Sequence, residues 1–355
     1  MADGDREGFV AGIEYTRDTI QMLESLAAVR RRPGMYIGGT DSTGMHHLAW
    51  EVIGNAVDEH LRGNARTVTV TVDRLRLVVE DDGRGIEPER IVEIMTTLHA
   101  GTGVTPHVHV GPNLHGSGVV VANALATEFV VTSWHAGYEY VQRFARGKPQ
   151  GGLAAHGATT RTGTRVAFVP DTSVFEDGAW DSAQIAARCR ELAGLVPGLA
   201  VVVDGQRYCY DDIAAYACDG RAVVLPCHVK ASAEGVDIEC VIGWHAGARD
   251  VRSFVNGSST EAGVHVREML HAISIVMRPR VPPSVALVRG LVAYIHVMLA
   301  GPRWGSPKRI WLASPEVGTV VRDAVARALA AHIEANPAAL DAWLLALQPR
   351  ARITP

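Results

Sequence analysis

The sequence predicts an α+β protein of two domains, and three observations carry that prediction. Short alternating or continuously apolar runs, TVTVTV and LRLVVED among them, read as antiparallel strands separated by glycine-rich turns. Between them stand stretches whose apolar residues recur at helical spacing. The chain has 355 residues, more than one ordinary core needs and enough for two.

Composition narrows the function classes. With 47% hydrophobic and 20% charged residues, the chain reads as a soluble globular protein, neither disordered nor collagen-like. Lys and Arg total 34 against 38 Asp and Glu, a formal charge of -4, so contact with DNA is expected to be local or indirect. The five cysteines are odd in number and form no Cys-x-x-Cys pair, which argues against a disulfide framework or zinc site and for a reducing cytosol. The N-terminus lacks a signal-peptide core, and no apolar run reaches the ~18 residues a membrane span needs. The expected location is cytoplasmic, with no membrane partner.

In chain order, residues 1–20 read as a polar arm. Over 19–32, Ile20, Leu23, Leu26 and Val29 keep helical spacing until Pro33-Gly34 ends the run. Asp41-Ser42-Thr43-Gly44 is an N-cap cluster for a helix over 45–61. Strands over 67–72 and 75–81 form a pair, followed by a helix near 89–98, a glycine- and histidine-rich segment over 99–118 and an apolar helix from Val119. EFVVTSWHAG, YEYVQRFARG and TRVAFVP read as strands, and a helix over 181–195 with a strand over 199–203 closes this half. A fresh alternation places strands near 222–230, 236–244 and 291–298 around a helix near 261–277, and a long helix over 315–335 finishes it. The expected division is an arm over 1–20, a first domain over 21–220 and a second over 221–355.

Three motifs carry chemistry. In EVIGNAVDE, residues Glu51, Asn55, Asp58 and Glu59 fall at i, i+4, i+7 and i+8 on one helix face, while Ile53, Val57 and Leu61 share another. Such a polar face looks into a cavity or into solvent. In VVEDDGRGIEPE a strand delivers Asp81 into a turn whose Gly83 and Gly85 let backbone approach a ligand. A carboxylate there can accept a hydrogen bond from an exocyclic amine such as that of adenine, although DDG is also an ordinary turn. GPNLHGSG, over 111–118, leads glycine-rich backbone into a helix N-terminus and suits anionic oxygen such as a triphosphate. No G-x-x-x-x-G-K-[ST] loop occurs.

These motifs, in this order, resemble the GHKL ATPase superfamily and, within it, the ATPase region of the type IIA topoisomerase B proteins, as in DNA gyrase and topoisomerase IV. LESLAAVRRRPGMYIGGTDSTGMHHLAWEVIGNAVDE, DDGRGI, EIMTTLHAG, LHGSGVVVANAL and TGTRVAF carry the likeness, which runs from about residue 15 to 336. The resemblance implies a GHKL (Bergerat) ATP-binding α/β sandwich followed by a transducer domain of ribosomal-S5-like βαβ type with right-handed crossover, lacking the Toprim domain. It implies ATP and Mg²⁺ as cofactors. Glu51 would be the general base, Asn55 the Mg²⁺ ligand, and Asp81 with Thr164 the adenine partners. Gly85, Ile86, Ile94 and Met95 would line the base pocket, with Arg84 at its mouth. Leu114, His115, Gly116, Ser117 and Gly118 would form the lid over the phosphates, and Arg309 or Lys308 would reach the γ-phosphate from the second domain. The implied activity is ATP hydrolysis by a homodimer that closes through the N-terminal arm, without DNA cleavage of its own. A weakly catalytic or non-catalytic regulator or decoy of a topoisomerase, or an ATPase recruited to another pathway with another protein partner, are the alternatives.

The sequence departs from the family pattern in places. Gly54 stands where Asp or Ser usually precedes Asn55, the segment over 102–113 lacks lysines and reads Pro112-Asn113 in place of two glycines, and Pro307-Lys308-Arg309 replaces a Gln-x-Lys loop. Val141 stands where an arginine usually borders the coumarin-drug site, with Arg143 near. Other residues are expected to be structural. His107 and His109 have metal-ligand spacing but no third ligand and are expected to be lid residues, Trp304 and Trp311 to pack, the cysteines to be ordinary core or surface positions, and Arg30, Arg31 and Arg32 to be solvated.

Overall fold

The computed structural model describes residues 25–98, 117–175, 178–306 and 309–347. It is built on two sheets. Ahead of and within the first lie α1 (Ser25–Arg31), α2 (Gly34–Ile37), α3 (Ser42–Leu61), β1 (Thr67–Asp73), β2 (Arg76–Asp81), α4 (Ile91–Thr96), α5 (Gly118–Ala124), β3 (Ala126–His135), β4 (Tyr138–Ala145), β5 (Lys148–Ala158), β6 (Gly163–Pro170), α6 (Ser182–Leu195), β7 (Ala200–Val203), β8 (Gln206–Tyr208) and α7 (Ile213–Cys218). The eight strands run in the order β5-β4-β3-β6-β2-β1-β7-β8, antiparallel throughout except for the β1–β7 pair.

Helix α3 organises this half. Asp41 caps it, its Oδ1 accepting from Gly44 N at 2.9 Å, which satisfies one of the free amides of the first turn. Met45, Leu48, Val52, Ile53 and Val57 are buried among Val68, Val70, Leu77, Val79, Phe129 and Phe168 of the sheet. Leu61, which shares a helix face with the buried Ile53 and Val57, is 40% exposed because it is the last residue of the helix.

Several elements went unpredicted. β5, at the sheet edge, is exposed on both faces along its whole length, so it shows no buried-face alternation, and its glycines hide it further. The short β8 and α7 also escaped the pattern. Arg30, expected in solvent, donates to Ala124 O at 2.9 Å and pairs with Asp171 at 2.7 Å, which ties α1 to the end of α5. Of the helix expected over 19–32, residues 19–24 lie outside those described.

The second sheet comprises β9 (Val224–Ala233), β10 (Val236–Trp244), β11 (Asp250–Val255), β12 (Ser258–Thr260) and β14 (Leu291–Leu299), ordered β12-β11-β14-β10-β9. A short parallel pair, β13 (Ala262–Gly263) with β15 (Trp311–Leu312), stands beside it. α8 (Val264–Met277) connects β11 to the parallel β14, the βαβ unit the resemblance predicts, and α9 (Pro315–Ala335) packs along α8 and β9. Asn336-Pro337 ends α9, as a proline disfavours helical backbone in the residue before it. The chain then continues as α10 (Pro337–Leu347), also unpredicted, whose Trp343 ring lies 4.7 Å from that of Trp244. Between the sheets, Tyr216 and Ala217 of α7 share a core with Val241, Phe254, Val292 and Tyr294. No described helix is long and apolar enough to cross a membrane.

Candidate active site

The site is laid out along α3, the β2 turn and the start of α5. On α3, Glu51 is half-buried and Asn55 is exposed one turn later. Glu51 Oε1 is shut away from solvent. The expected four-residue polar face is not uniform, because Asp58 is buried to 3% exposure. Glu59 is held by Arg62 at 2.9 Å and Asn64 at 3.0 Å, and Arg84 Nε lies 3.3 Å from its Oε2. Gly118 and the buried Ser117 open α5 directly against Glu51: a Cβ built on Gly118 would lie 1.8 Å from Glu51 Oε2.

The two aspartates of the DDG turn divide their tasks. Asp82 Oδ1 accepts from the amides of Arg66 at 2.6 Å and Thr67 at 2.8 Å, which pins the turn to the start of β1. Asp81, at the end of β2 and opposite Thr164 of β6, is 6% exposed, and its Oδ1 accepts from Gly83 N at 2.9 Å and Thr164 N at 3.3 Å. Burial pushes its carboxyl up to about 7, aided by nearby Glu59 and Asp82 and opposed by the two amides. At neutral pH this carboxyl is therefore poised between acceptor and donor.

Beyond the turn, Gly85 sits at φ +75°, where a Cβ would fall 2.5 Å from Trp134 O. Ile86 is anchored to β3 in both directions, its N–H donating to Ser133 Oγ at 2.8 Å and its carbonyl accepting from the same hydroxyl at 2.7 Å. Ile94 is half-buried and Met95 buried on α4, and Asn123 Nδ2 donates to Met95 O at 2.8 Å, which joins α4 to α5. Arg84 is exposed at the rim. Thr164 meets Asp81 through its backbone amide.

Two neighbours escaped the sequence reading. His47 lies one turn before Glu51, half-buried and hydrogen-bonded to the Ile37 backbone, and burial lowers its pKa. The i−4 spacing from Glu51 was the available signal. Arg161 stacks 3.6 Å above the Trp134 ring and pairs with Glu80, which no local pattern announces.

Arg309 is half-buried at φ +55° on a hairpin of the second half. Lys308, Leu114, His115 and Gly116 lie outside the described residues, as do His107 and His109. Trp304 packs against the second core as expected, whereas Trp311 is 55% exposed and lines a cleft of about 310 Å³ with Arg267, Glu268, Thr319 and Arg322. Its strand β15 has only two residues and lies outside the five-stranded sheet, so no layer covers the indole. Among the described residues no group of three or more His, Cys, Asp or Glu side chains converges as a metal cage. An exposed Asn55 amide beside the Glu51 carboxylate still suits Mg²⁺, which takes few protein oxygens and relies on phosphate and water for the rest.

Fold and site together define an ATPase domain of the GHKL class. Residues 40–173 match the histidine kinase-, DNA gyrase B-, and HSP90-like ATPase family, HATPase_c. The DNA gyrase B protein of Treponema pallidum is 32% identical over 93% of this chain, and that of Archaeoglobus fulgidus is 32% identical over 94%. The chain spans 58% of the length of each. The 43K ATPase domain of Thermus thermophilus gyrase B, solved with an aminocoumarin, superposes with a TM-score of 0.75 at 30% identity, covering 93% of this chain and 96% of that one. Gyrase B of Myxococcus xanthus gives a TM-score of 0.76 at 27% identity, covering 89% and 99%. The chain belongs to the GHKL ATPase family and is homologous to the ATPase region of DNA gyrase B.

Proposed function

We propose that the protein binds and hydrolyses ATP with Mg²⁺ and dimerises on ATP. The observation that carries the reading is the Glu51 carboxylate lodged against Gly118, where the glycine-rich segment enters α5 and where a triphosphate would end. The adenine amino group donates to the ionised Asp81 carboxylate, beside Thr164, while Ile86, Ile94 and Met95 bound the base and Arg84, steadied by Glu59, closes the rim. Glu51 takes the proton of the attacking water, a role worth ~10²–10⁴-fold in rate. Asn55 would hold Mg²⁺ together with phosphate oxygens, and the bound ion would supply charge neutralisation during phosphoryl transfer. Arg309, with Lys308 beside it in sequence, supplies the cation for the γ-phosphate.

One observation favours a second reading, a nucleotide-sensing regulator with little turnover: Pro307-Lys308-Arg309 replaces the family's Gln-x-Lys, and the lid segment has no lysine. Steady-state hydrolysis across protein concentration, beside Glu51→Ala, separates the two. A rate per chain that rises with concentration and vanishes in Glu51→Ala supports the ATP-gated dimer. Binding without hydrolysis in the unaltered protein would sink the first reading in favour of the second.

A further inference from the structure

We infer that His265 is a positioning residue for the hairpin that carries Arg309. The inference rests on the reading of Arg309 as the cation directed at the γ-phosphate. Residues 303–306 and 309–313 fold back on each other: Gly305 N–H donates to Trp311 O at 2.9 Å, Ala313 N–H to Arg303 O at 2.8 Å, and Arg303 N–H to Ser314 Oγ at 2.9 Å. The returning limb is sewn to the segment before α8, since the amides of Glu261 and Ala262 both donate to Ile310 O, at 3.0 and 3.2 Å. Arg309 immediately precedes that shared carbonyl.

Behind this seam lies a buried polar chain whose proton positions follow from counting donors. Ser253 Oγ stands 2.9 Å from Thr260 O, which can only accept, so the serine hydrogen is used there. Thr260 Oγ1, 2.7 Å from Ser253 Oγ, must then donate to it. Having spent its hydrogen, Thr260 Oγ1 accepts from His265 Nε2 at 3.1 Å, and Nε2 is the protonated ring nitrogen. Nδ1 is left as a bare lone pair, buried and without a hydrogen-bond partner among the described residues. It faces the two short strands: a Cβ on Gly263, whose φ is +151°, would fall 2.8 Å from Nδ1 and 2.8 Å from both Leu312 N and Leu312 O. The imidazole and the Leu312 backbone thus both crowd the place a side chain on Gly263 would take, and because Gly263 pairs with Leu312 the ring bears on how β15 seats against β13.

Burial pushes His265 down to about 4, so the neutral tautomer persists at ordinary pH. An ångström of displacement at a reacting centre can cost roughly 10²-fold in rate. A ring seated against Gly263, the strand partner of Leu312 three residues from Arg309, is placed to control such a displacement.

The test uses the full chain with His265→Leu, which removes the donor, His265→Gln, which returns an amide N–H, and Thr260→Val, which removes the acceptor. Hydrogen exchange at the amides of 303–306 and 309–313, melting temperature, and kcat and KM for ATP are read together. In His265→Leu and Thr260→Val, exchange in the hairpin should accelerate about tenfold or more relative to the second-sheet strands, a loosening of one local opening unit. The value of kcat should drop at least about tenfold with KM nearly unchanged, and His265→Gln should recover most of both. In an Arg309→Ala background His265→Leu should lower kcat no further. Unchanged hairpin exchange in His265→Leu overturns the inference whatever happens to activity, and so does a fully additive loss of kcat in the Arg309→Ala background. An Arg309→Ala variant with normal kcat refutes the reading of Arg309, while hairpin exchange still decides whether His265 holds the hairpin.

Discussion

The carboxylate of Glu51 occupies the space a side chain on Gly118 would need: a Cβ there would stand 1.8 Å from Oε2 and 2.4 Å from Cδ. Replacing Gly118 with alanine must therefore move Glu51. Gly118→Ala should reduce kcat by about 10²-fold or more and, because Gly118 also borders the proposed phosphate site, weaken ATP binding as well, with about 1–3 kcal/mol lost to overpacking. Calorimetry and a hydrolysis assay on one preparation check both. Wild-type turnover in Gly118→Ala would disconnect the position of Glu51 from catalysis.

Glu51→Gln keeps the shape of the side chain and removes its basicity. Hydrolysis is expected to fall ~10²–10⁴-fold with nucleotide affinity retained. Titration calorimetry with ATP beside a phosphate-release assay distinguishes loss of the base from loss of binding.

Asp81 gives ATP binding a pH signature. Its folded pKa, about 7, is above the ordinary carboxylate value of 3.8, so the empty protein binds more protons than the unfolded chain between those values and its stability falls as pH rises through that window. Adenine's amine needs the ionised form, so affinity for ATP should tighten as pH rises through about 7. Asp81→Asn should bind ATP more weakly, lose this pH dependence, and melt higher than wild type above that pH in the absence of nucleotide. A pH-independent Kd in wild type would remove Asp81 from the recognition of the base.

Arg30 predicts an acid-sensitive joint. Burial alone would raise the Asp171 carboxyl, but the Ser173 hydroxyl at 2.6 Å, Arg146 Nε at 2.9 Å and Arg30 at 2.7 Å outweigh it and hold the group well below the usual carboxylate range. A depressed pKa contributes stability above the unfolded value of 3.8 that is lost as pH falls below it. Arg30→Ala should cost about 1–3 kcal/mol at neutral pH, and its gap to wild type should narrow once pH falls below roughly 4. Urea unfolding at the two pH values is the check, and an equal gap at both would leave the ion pair without a part in stability.

Much of this architecture was legible where the signal is local. Helix α3 announces itself through a capping Asp41 and the apolar spacing of Met45, Leu48, Val52 and Ile53, and α9 through a similar stripe. β2 and its DDG turn were readable because strand alternation and turn chemistry both act within a few residues. β5 was not, since this strand is exposed on both faces and so carries no alternation. Nor was α10, whose Trp343 has meaning only against Trp244. At the site, the i, i+4 spacing of Glu51 and Asn55 and the Asp81–Gly85 turn were visible. The pairings Glu51 with Gly118 and Arg84 with Glu59, the stack of Arg161 on Trp134, and the exposure of Trp311 were not.

By itself, then, the sequence determined which residue types stand at which helical or strand phase, because φ/ψ preference and side-chain period act over a turn or a strand. Tertiary structure alone decided which of them meet. Asp81 and Thr164 are 83 positions apart and Arg30 and Asp171 are 141 apart, and only the antiparallel register of β2 with β6 and the closing of α1 over α5 bring each pair within hydrogen-bonding distance. The raised pKa of Asp81 belongs to the same class. Burial by the folded chain supplies it, and no local motif encodes how much water a carboxylate will lose.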